Sequence, residues 1–253
     1  MNIFDIHGKK ALVTGASRGL GRGMAEALLE AGAMVVICGT HEEALQKQAA
    51  EYRAKGHVCH ALAIDLANRE NRRAAFEKGV ALLDGRIDIL VNAAGVQRRH
   101  PCEEFPLEEW DDVLEVNLTA VFDLCRLAGR KMIAQGGGKI INIASMLTFF
   151  GGFTVPAYAA SKGGVGQLTK ALGNEWAAKN IQVNALAPGY MATDMNTALL
   201  EDESRNTEIL ARIPAKRWGT AADMRGPVLF LASAASDYLS GAIIPVDGGY
   251  LTR

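Results

Sequence analysis

No run in the sequence approaches the ~20 consecutive apolar residues that a membrane-spanning helix needs, although 49% of its 253 residues are hydrophobic. The charges nearly balance, with a formal net charge of −1, and no basic stripe is available to neutralise the phosphates of a nucleic acid. Residues 1–10 have neither a basic start nor an apolar core, so we expect no signal peptide. These absences predict a cytoplasmic protein without a membrane or nucleic-acid partner.

Cysteine and histidine are few and scattered. The sequence has 4 cysteines, and no pair of them has the spacing of metal ligands. Cys38 and Cys59 lie in apolar runs, where a buried and inert thiol is expected. The 5 histidines show no zinc pattern either. We therefore predict no metal site.

Short apolar runs alternate with longer helical patterns along the whole chain. The runs predict strands at residues 11–13, 34–38, 58–64, 87–91, 139–143, 181–186 and 242–246. The patterns predict helices at residues 19–31, 42–54, 68–83, 107–134, 157–179 and 221–231. Strands that alternate with helices pair in parallel through right-handed crossovers. We therefore expect one α/β domain over residues 1–253, with a Rossmann-like, doubly wound, seven-stranded parallel sheet and helices on both faces.

The first predicted strand runs directly into a glycine-rich loop, Thr14-Gly-Ala-Ser-Arg-Gly-Leu-Gly21, which opens the first helix. Glycines let the backbone turn tightly and let a pyrophosphate approach the helix N-terminus, whose free N–H groups and dipole favour anions. The position of this loop predicts a dinucleotide site. The expected contacts are Gly15, Ser17, Arg18, Gly19, Leu20 and Gly21.

Two further loops follow predicted strands at the edge of the sheet where such folds bind ligands. Asp65, with Leu66 beside it, ends the third strand and has a carboxylate that can accept a hydrogen bond from an adenine amine. Asn92, Ala93 and Gly95 belong to a loop after the fourth strand whose small side chains leave room for a cofactor. The alternative interpretation of either loop is a tight turn that binds nothing.

Tyr158 and Lys162 lie four residues apart in a predicted helix, so both side chains project from one face. A phenol ionises near pH ~10, and a nearby ammonium group favours the phenolate and lowers that pKa. The hydroxyl of Ser145, from another segment, can hold the oxygen that is oxidised or reduced. The three groups predict proton transfer to and from an alcohol. The alternative is a chance pairing of tyrosine and lysine on a helix.

These motifs resemble those of the short-chain dehydrogenase/reductase family over essentially the whole chain. The matching residues, in order and spacing, are Thr14-Gly-x-x-x-Gly-x-Gly21, Asp65, Asn92-Ala-Ala-Gly95, Asn117, Ser145, Tyr158-x-x-x-Lys162 and Pro188-Gly189. The resemblance implies that an NAD(P)(H)-dependent enzyme interconverts a secondary alcohol and a ketone. It also implies a homotetramer, with contacts through the helices near residues 107–134 and 157–179 and through the last strand.

The resemblance assigns roles to individual residues. It implies that Tyr158 is the general acid/base and that Ser145 hydrogen-bonds the substrate oxygen. Lys162 then lowers the tyrosine pKa and holds the nicotinamide ribose, and Asn117 anchors a water that relays the proton to solvent. The resemblance also implies that Tyr158 and Lys162 contact the cofactor. The other implied cofactor contacts are Pro188, Gly189, Met191 and Thr193.

Within the family, the chain most resembles the dehydrogenases of sugar acids of the gluconate and deoxygluconate type, through residues 95–99, 140–147, 187–193 and 212–219. Arg98 and Arg99 follow a cofactor loop, so one of them can pair with a substrate carboxylate, and a solvated loop pair is the alternative. Arg205 and Arg217 are weaker candidates. Further pocket residues are expected at Ser145, Met146, Leu147, Tyr190 and Met195, of which the last four can also be ordinary packing. The polar segment 188–218, with two short helices, is expected to cover the substrate.

Two other functions stay open. A 3-oxoacyl carrier-protein reductase would use the same chemistry, but it would need a basic patch for its acidic carrier, and the long helices show no concentrated one. A sensor that only binds NAD(P)(H) would not need the proton path of Asn117, Ser145, Tyr158 and Lys162.

The sequence does not decide between NAD and NADP. An acidic residue at the end of strand two would accept from the adenosine ribose and repel a 2′-phosphate, but Gly39 and Thr40 stand there. Arg18 can pair with a 2′-phosphate and Thr40 can add a hydrogen bond. The residues therefore lean towards NADP.

Overall fold

The computed structural model of the protein describes residues 2–252, so Met1 and Arg253, the ends of the predicted domain, lie outside the described residues. The strands are β1 (Lys10–Thr14), β2 (Met34–Gly39), β3 (Cys59–Ala63), β4 (Ile89–Asn92), β5 (Gly138–Ile143), β6 (Ile181–Pro188) and β7 (Ile243–Val246). They form one parallel sheet in the order β3-β2-β1-β4-β5-β6-β7. The predicted fold class is confirmed. The strand order reverses between β1 and β4, where the carboxyl ends of the strands open a crevice for a ligand.

The helices cover both faces of this sheet. They are α1 (Gly19–Glu30), α2 (Glu42–Ala54), α3 (Arg69–Leu82), α4 (Leu107–Leu114), α5 (Ala120–Gln135), α6 (Pro156–Trp176), α7 (Thr197–Glu201), α8 (Glu203–Arg212) and α9 (Arg225–Ala232). Among the described residues, no helix combines the length and the apolar character needed to cross a bilayer.

Successive residues of each strand point to opposite faces, which builds two cores from one sheet. Leu12 of β1 belongs to a core with α3, α5 and α6. Its neighbour Val13 belongs to a second core with α1, α2 and α9. Because both faces are covered, the strands are continuous apolar runs. Cys38 and Cys59 are buried, as expected, and burial raises the pKa of each thiol to about 12.

The helix predicted at residues 107–134 is interrupted. Between α4 and α5 lies a π turn, Glu115–Thr119, whose wider i→i+5 hydrogen bonding inserts extra backbone into the helix. Asn117 lies in this turn, and its side chain bonds to two other segments of the chain. Hydrophobic periodicity carries no signal for such an insertion, so the sequence pattern predicts one continuous helix.

Two other helix ends differ from the prediction. The helix expected at 157–179 ends as an α-helix at Trp176 and continues as a 3₁₀ turn, Ala177–Lys179. The helix expected at 221–231 begins as a 3₁₀ turn, Ala221–Met224. Pro227 has no N–H to donate to the carbonyl four residues earlier, in the turn Ala221–Met224. The missing hydrogen bond disfavours a regular α-helix in that turn.

Arg72 of α3 is a buried cation that connects four segments. Its side chain is 1% exposed, and its guanidinium donates to the carbonyl of Leu66 after β3, at 3.1 Å from Nε. It also donates to Glu115 in the π turn at 2.5 Å. Its Nη1 lies 3.5 Å from a carboxylate oxygen of Asp123 on α5. Arg69, one turn earlier, pairs with the same Glu115 from a side chain that is 69% exposed.

Replacement of Arg72 by Met is expected to lower the free energy of unfolding by about 3 kcal/mol or more, because it leaves a buried carbonyl and the carboxylate of Glu115 without their shared partner. Arg69→Met is the matched control, and its effect should be small because water replaces an exposed ion pair. Denaturant unfolding followed by circular dichroism measures both. Equal, small losses in the two variants would contradict this role for Arg72.

Candidate active site

The loop after β1 packs directly against the loop after β4. Gly15 has a φ of +64°, and a Cβ there would lie 2.7 Å from the Cα of Ala94. A Cβ at Gly21 would collide with the carbonyl oxygen of Gly15. Thr14 Oγ1 accepts hydrogen bonds from the backbone N–H groups of Ala93 at 3.1 Å and Ala94 at 3.2 Å. Only glycine fits at positions 15 and 21, so this close approach explains two of the glycines in the motif.

The N-terminus of α1 faces the crevice without a side chain that competes for its N–H groups. The N-cap residue Arg18 makes no capping hydrogen bond, and the first turn contains no acidic residue. Such an end suits a pyrophosphate. The Arg18 guanidinium extends instead to Asp194, at 3.3 Å, and both side chains are largely exposed. Gly19, in the left-handed region with φ of +56°, lies against Thr193.

The remaining predicted residues of this loop have different surroundings. Leu20 is partly buried against the core around α1. Ser17 Oγ would lie 3.4 Å from a Cβ at Gly39, the last residue of β2, so these two loops are in contact. Thr40 and Asp65 are exposed at the ends of β2 and β3. The Asp65 carboxylate accepts from the N–H of Ala67 at 3.0 Å.

The side chains of Leu66 and Asn92, both predicted cofactor contacts, are buried in the protein. Leu66 is buried, and its carbonyl accepts from Arg72. The Asn92 amide nitrogen donates into the protein interior, to Asn142 Oδ1 at 2.9 Å and to Cys125 Sγ at 3.3 Å. The Asn92 side chain is 2% exposed and therefore does not face the crevice. Within residues 2–252, its Oδ1 has no hydrogen-bond partner.

Asn117 is fully buried and joins three segments. Its Oδ1 accepts from the N–H of Val96 at 2.8 Å, and its Nδ2 donates to the carbonyl of Val96 at 2.9 Å and to Ser161 Oγ at 3.2 Å. A Cβ added at Gly95 would lie 3.3 Å from Asn117 Oδ1 and 3.8 Å from Lys162 Nζ. The amide thus fixes the loop after β4 against α6, and the absence of a side chain at Gly95 leaves space beside Lys162.

Tyr158 and Ser145 come together as predicted. The Ser145 side chain lies beside the Tyr158 phenol, and both residues line the same cavity, although α6 and the end of β5 are separate in sequence. Ser145 Oγ also accepts from the N–H of Leu147 at 3.1 Å, which orients the serine. Thr148 closes the same turn, because its hydroxyl accepts from the N–H of Ser145 and donates to the carbonyl of Lys162.

The electrostatics of Tyr158 and Lys162 differ from the prediction. Burial raises the pKa of Tyr158, and the nearby Ser145 side chain only partly offsets this rise. Burial also lowers the pKa of Lys162 to about 8. The expected lowering of the tyrosine pKa by Lys162 is not found, because Lys162 Nζ donates to the carbonyl of Ile143 at 2.6 Å and lies 5.6 Å from the centre of the tyrosine ring. In the protein alone, burial favours the neutral form of both groups.

A cavity of about 340 Å³ opens above Ser145 and Tyr158. Of the predicted residues, it is lined by Arg99, Ser145, Met146, Leu147, Tyr158, Gly189, Tyr190, Met195 and Arg205. Gly189 packs so closely on the C-terminal loop that a Cβ would lie 2.7 Å from the Cα of Asp247. The preceding residue, Pro188, is buried at the end of β6.

Three predicted residues lie away from this cavity. Arg98 turns to α4, where its guanidinium lies 3.1 Å from Asp112. Arg217 pairs with Asp223 at 2.7 Å. Met191 is 3% exposed and packs in the core with α1 and α9. The carboxylates of Asp112 and Asp223 hold Arg98 and Arg217, and burial in the core explains the position of Met191. The local sequence does not indicate these contacts.

The cavity also has lining residues that the sequence analysis did not assign to it: Gln97, Phe150, Gly151, Gly152, Phe153, Val155, Asn196, Leu199, Glu208, Ile209, Arg212 and Tyr250. Four positions on α8 recur at i, i+3, i+4 and i+7, so the helical period was a usable signal for that wall. Tyr250 had no such signal, because it reaches the cavity only through the pairing of β7 with β6.

Comparison with known proteins matches this geometry. Residues 9–204 match the short chain dehydrogenase family. The chain is 49% identical to the 2-dehydro-3-deoxy-D-gluconate 5-dehydrogenase of Bacillus subtilis, over 100% of this chain and 98% of that protein. It is 39% identical to the gluconate 5-dehydrogenase of Gluconobacter oxydans, over 98% of this chain and 96% of the relative.

A solved structure agrees in fold over the same length. The gluconate 5-dehydrogenase of Burkholderia cenocepacia, in complex with NADP and tartrate, superposes with a TM-score of 0.96 at 42% identity, covering 100% of this chain and 98% of that one. The fold, the grouping of Ser145, Tyr158 and Lys162, and the match over most of the chain agree. The chain belongs to the short-chain dehydrogenase family.

Proposed function

We propose that the protein is an NAD(P)-dependent oxidoreductase that interconverts a secondary alcohol and a ketone on a sugar acid of the gluconate or 2-keto-3-deoxygluconate type. The observation that carries this proposal is that Tyr158 and Ser145 lie beside each other on a cavity that is also lined by arginines. The relatives that act on gluconate and 2-dehydro-3-deoxy-D-gluconate support the substrate class.

The residues present fit a dinucleotide. Side chains are excluded at Gly15 and Gly21, the first turn of α1 is free of acids, and Gly95 leaves open space beside Lys162. We propose that the pyrophosphate lies on the loop from Gly15 to Gly21 and that the nicotinamide lies between Gly95 and Gly189. The bound nicotinamide supplies or accepts the hydride.

Tyr158 moves the proton in this proposal. During oxidation its phenolic oxygen takes the proton from the substrate hydroxyl, and during reduction it returns that proton to the alkoxide. Ser145 holds the same substrate oxygen, since its hydroxyl is already oriented by the N–H of Leu147. Lys162, anchored on the carbonyl of Ile143, holds the ribose hydroxyls of the cofactor. The polar atoms of the Asn117 side chain are engaged by Val96 and Ser161, so Asn117 acts first as a brace, and its anchoring of a relay water stays a prediction.

Residues 188–218 are proposed to cover the substrate, and Met195 and α8 in this segment line the cavity. Of the two adjacent arginines, Arg99 is the proposed contact for the substrate carboxylate, because Arg98 is held by Asp112. A homotetramer is also proposed. Leu107 and Phe122, on α4 and α5, are 76% and 46% exposed, which supports a contact through these helices. The cytoplasmic location remains a prediction.

The test of the function is turnover of NADPH and NADH by the purified protein with keto sugar acids, simple ketones and 3-oxoacyl thioesters. Sugar acids should be the preferred class. Tyr158→Phe should lower kcat by roughly 10²–10⁴, the contribution of a positioned acid/base, and should leave the dissociation constant of the cofactor unchanged. Tyr238→Phe is the matched control, because Tyr238 is fully exposed. Near-normal turnover by the Tyr158 variant, or preference for the thioester, would contradict the proposal.

The pKa of Tyr158 should depend on the cofactor. In the protein alone burial raises the pKa of this phenol, so ionisation should occur above the ordinary value of ~10. With oxidised NADP bound, positive charge beside the phenol favours the phenolate, and the ionisation should move to lower pH. Oxidation, which needs the phenolate, should then become faster as pH rises through that value. Absorbance titration of phenolate in the wild type, minus that of Tyr158→Phe, measures the shift. The same pKa with and without cofactor would contradict it.

Arg18 is the proposed contact for a 2′-phosphate. It is exposed, its partner Asp194 is also exposed, and no acid at Gly39 or Thr40 would repel the phosphate. Arg18→Gln should raise the KM for NADP by about tenfold, as expected for loss of a charged hydrogen bond, while the KM for NAD changes little. Arg22→Gln, which removes a cation paired with Glu26 on the same helix, should change neither. An equal increase in both KM values after the Arg18 change would show that Arg18 does not select the phosphate.

A further inference from the structure

One face of α8 forms a charged wall of the cavity. Arg205, Glu208, Ile209 and Arg212 all line it, at i, i+3, i+4 and i+7, so a single stripe of the helix points inward. Ile209 is 5% exposed and fixes the helix in an apolar cluster. Arg205, Glu208 and Arg212 are exposed to solvent on the rim of the cavity, beside the buried apolar anchor Ile209.

Arg212 is held on an aromatic platform. Its guanidinium carbon lies 4.5 Å from the centre of the Tyr250 ring. Tyr250 is itself 4% exposed and is stacked on Phe150, with ring centres 5.9 Å apart. Tyr190 meets the same ring edge-on at 5.4 Å. Stacking on a ring orients a guanidinium while its N–H groups stay available in the plane for a bidentate anion.

The charges of the stripe are unequal. Arg205 and Glu208 face each other, with 3.5 Å between Nη1 and Oε2, so they largely compensate one another. Arg212 has no carboxylate within ion-pair distance in the part of the chain that the structure describes, and neither has Arg99. Among the described residues, the cavity therefore contains an oriented cation without a carboxylate partner, next to a polar pair that can both donate and accept.

We propose that this stripe of α8 determines the substrate class, and that Arg212 binds the carboxylate of an open-chain polyhydroxy acid while Arg205 and Glu208 bind its hydroxyl groups. This role rests on the proposed function, because it assumes that the reacting carbon lies at Tyr158. Planar carboxylates match the guanidinium fork, and a carboxylate of Glu208 that is already paired can accept from a hydroxyl without repelling the anion strongly. Arg99, the carboxylate contact proposed above, would bind the same carboxylate from the loop after β4, on another wall of the cavity.

The test compares a keto sugar acid with an uncharged polyhydroxy ketone of the same chain length. In Arg212→Gln, kcat/KM for the acid should fall about tenfold to a hundredfold, because a charge-assisted pair is lost. The value for the uncharged ketone and the KM for the cofactor should stay unchanged. Arg212→Lys should lie between, since an ammonium retains the charge without the planar fork. Arg73→Gln, which removes an exposed cation from α3 outside the cavity, is the matched control and should change nothing.

Glu208→Gln tests the second part of the stripe. It should lower kcat/KM for both polyhydroxy substrates and leave a simple ketone without hydroxyls unaffected. Glu203→Gln, on the same helix but outside the cavity lining, is its control. An Arg212→Gln enzyme that retains its preference for the acid would overturn the role of α8, and so would an equal loss for the acid and the uncharged ketone. A wild-type protein that turns over other ketones but no sugar acid would overturn the proposed substrate class as well.

Discussion

The arrangement of the site depends on one buried amide. The Asn117 side chain bonds both polar groups of the Val96 backbone and the hydroxyl of Ser161, and so connects the β4 loop, the helix pair and α6. In a regular α-helix the side chains of this turn would point in different directions around the helix axis. The π turn and the hydrogen bonds of Asn117 therefore support one another. Because Ser161 directly precedes Lys162 and its hydroxyl donates to the carbonyl of Tyr158, the position of Asn117 is transmitted to both groups through one turn of α6.

The second constraint is the close approach of the backbones around the nucleotide crevice. The loops after β1 and β4 are joined through Thr14 Oγ1, and Gly15 lies against Ala94 with no room for a side chain. Below them, Asn92, Asn142 and Thr169 form a buried chain of hydrogen bonds between the central strands and α6. Buried polar groups that satisfy each other fix one arrangement of the strands. The crevice is thus formed by backbone on a rigid polar base rather than by large side chains.

A feature of the fold or of the site can be predicted from the sequence when the residues that cause it are close together in the chain. Strand and helix order follow from apolar runs, and Tyr158, Lys162 and the glycine loop are short-range patterns, so the fold class and the grouping of these residues could be predicted. The π turn at Asn117 could not, because one extra residue hardly changes hydrophobic periodicity. The separation of Arg98 from Arg99 depends on Asp112, and the place of Tyr250 depends on the pairing of β7 with β6. Such partners are distant in sequence and are known only once the chain is folded.

The electrostatics of the site follow from burial rather than from spacing. The helical spacing of Tyr158 and Lys162 suggests that one charge activates the other, but burial raises the pKa of the phenol and lowers that of the amine. A new partner that interacts with the charged form would favour that form and oppose the effect of burial. In the mechanism proposed above, the ribose hydroxyls of the cofactor would be that partner for Lys162, and the oxidised nicotinamide would be that partner for Tyr158. The protein alone holds the two groups in position, with burial favouring the neutral form of each. Under the proposed mechanism, binding of the oxidised cofactor would therefore favour proton transfer by Tyr158.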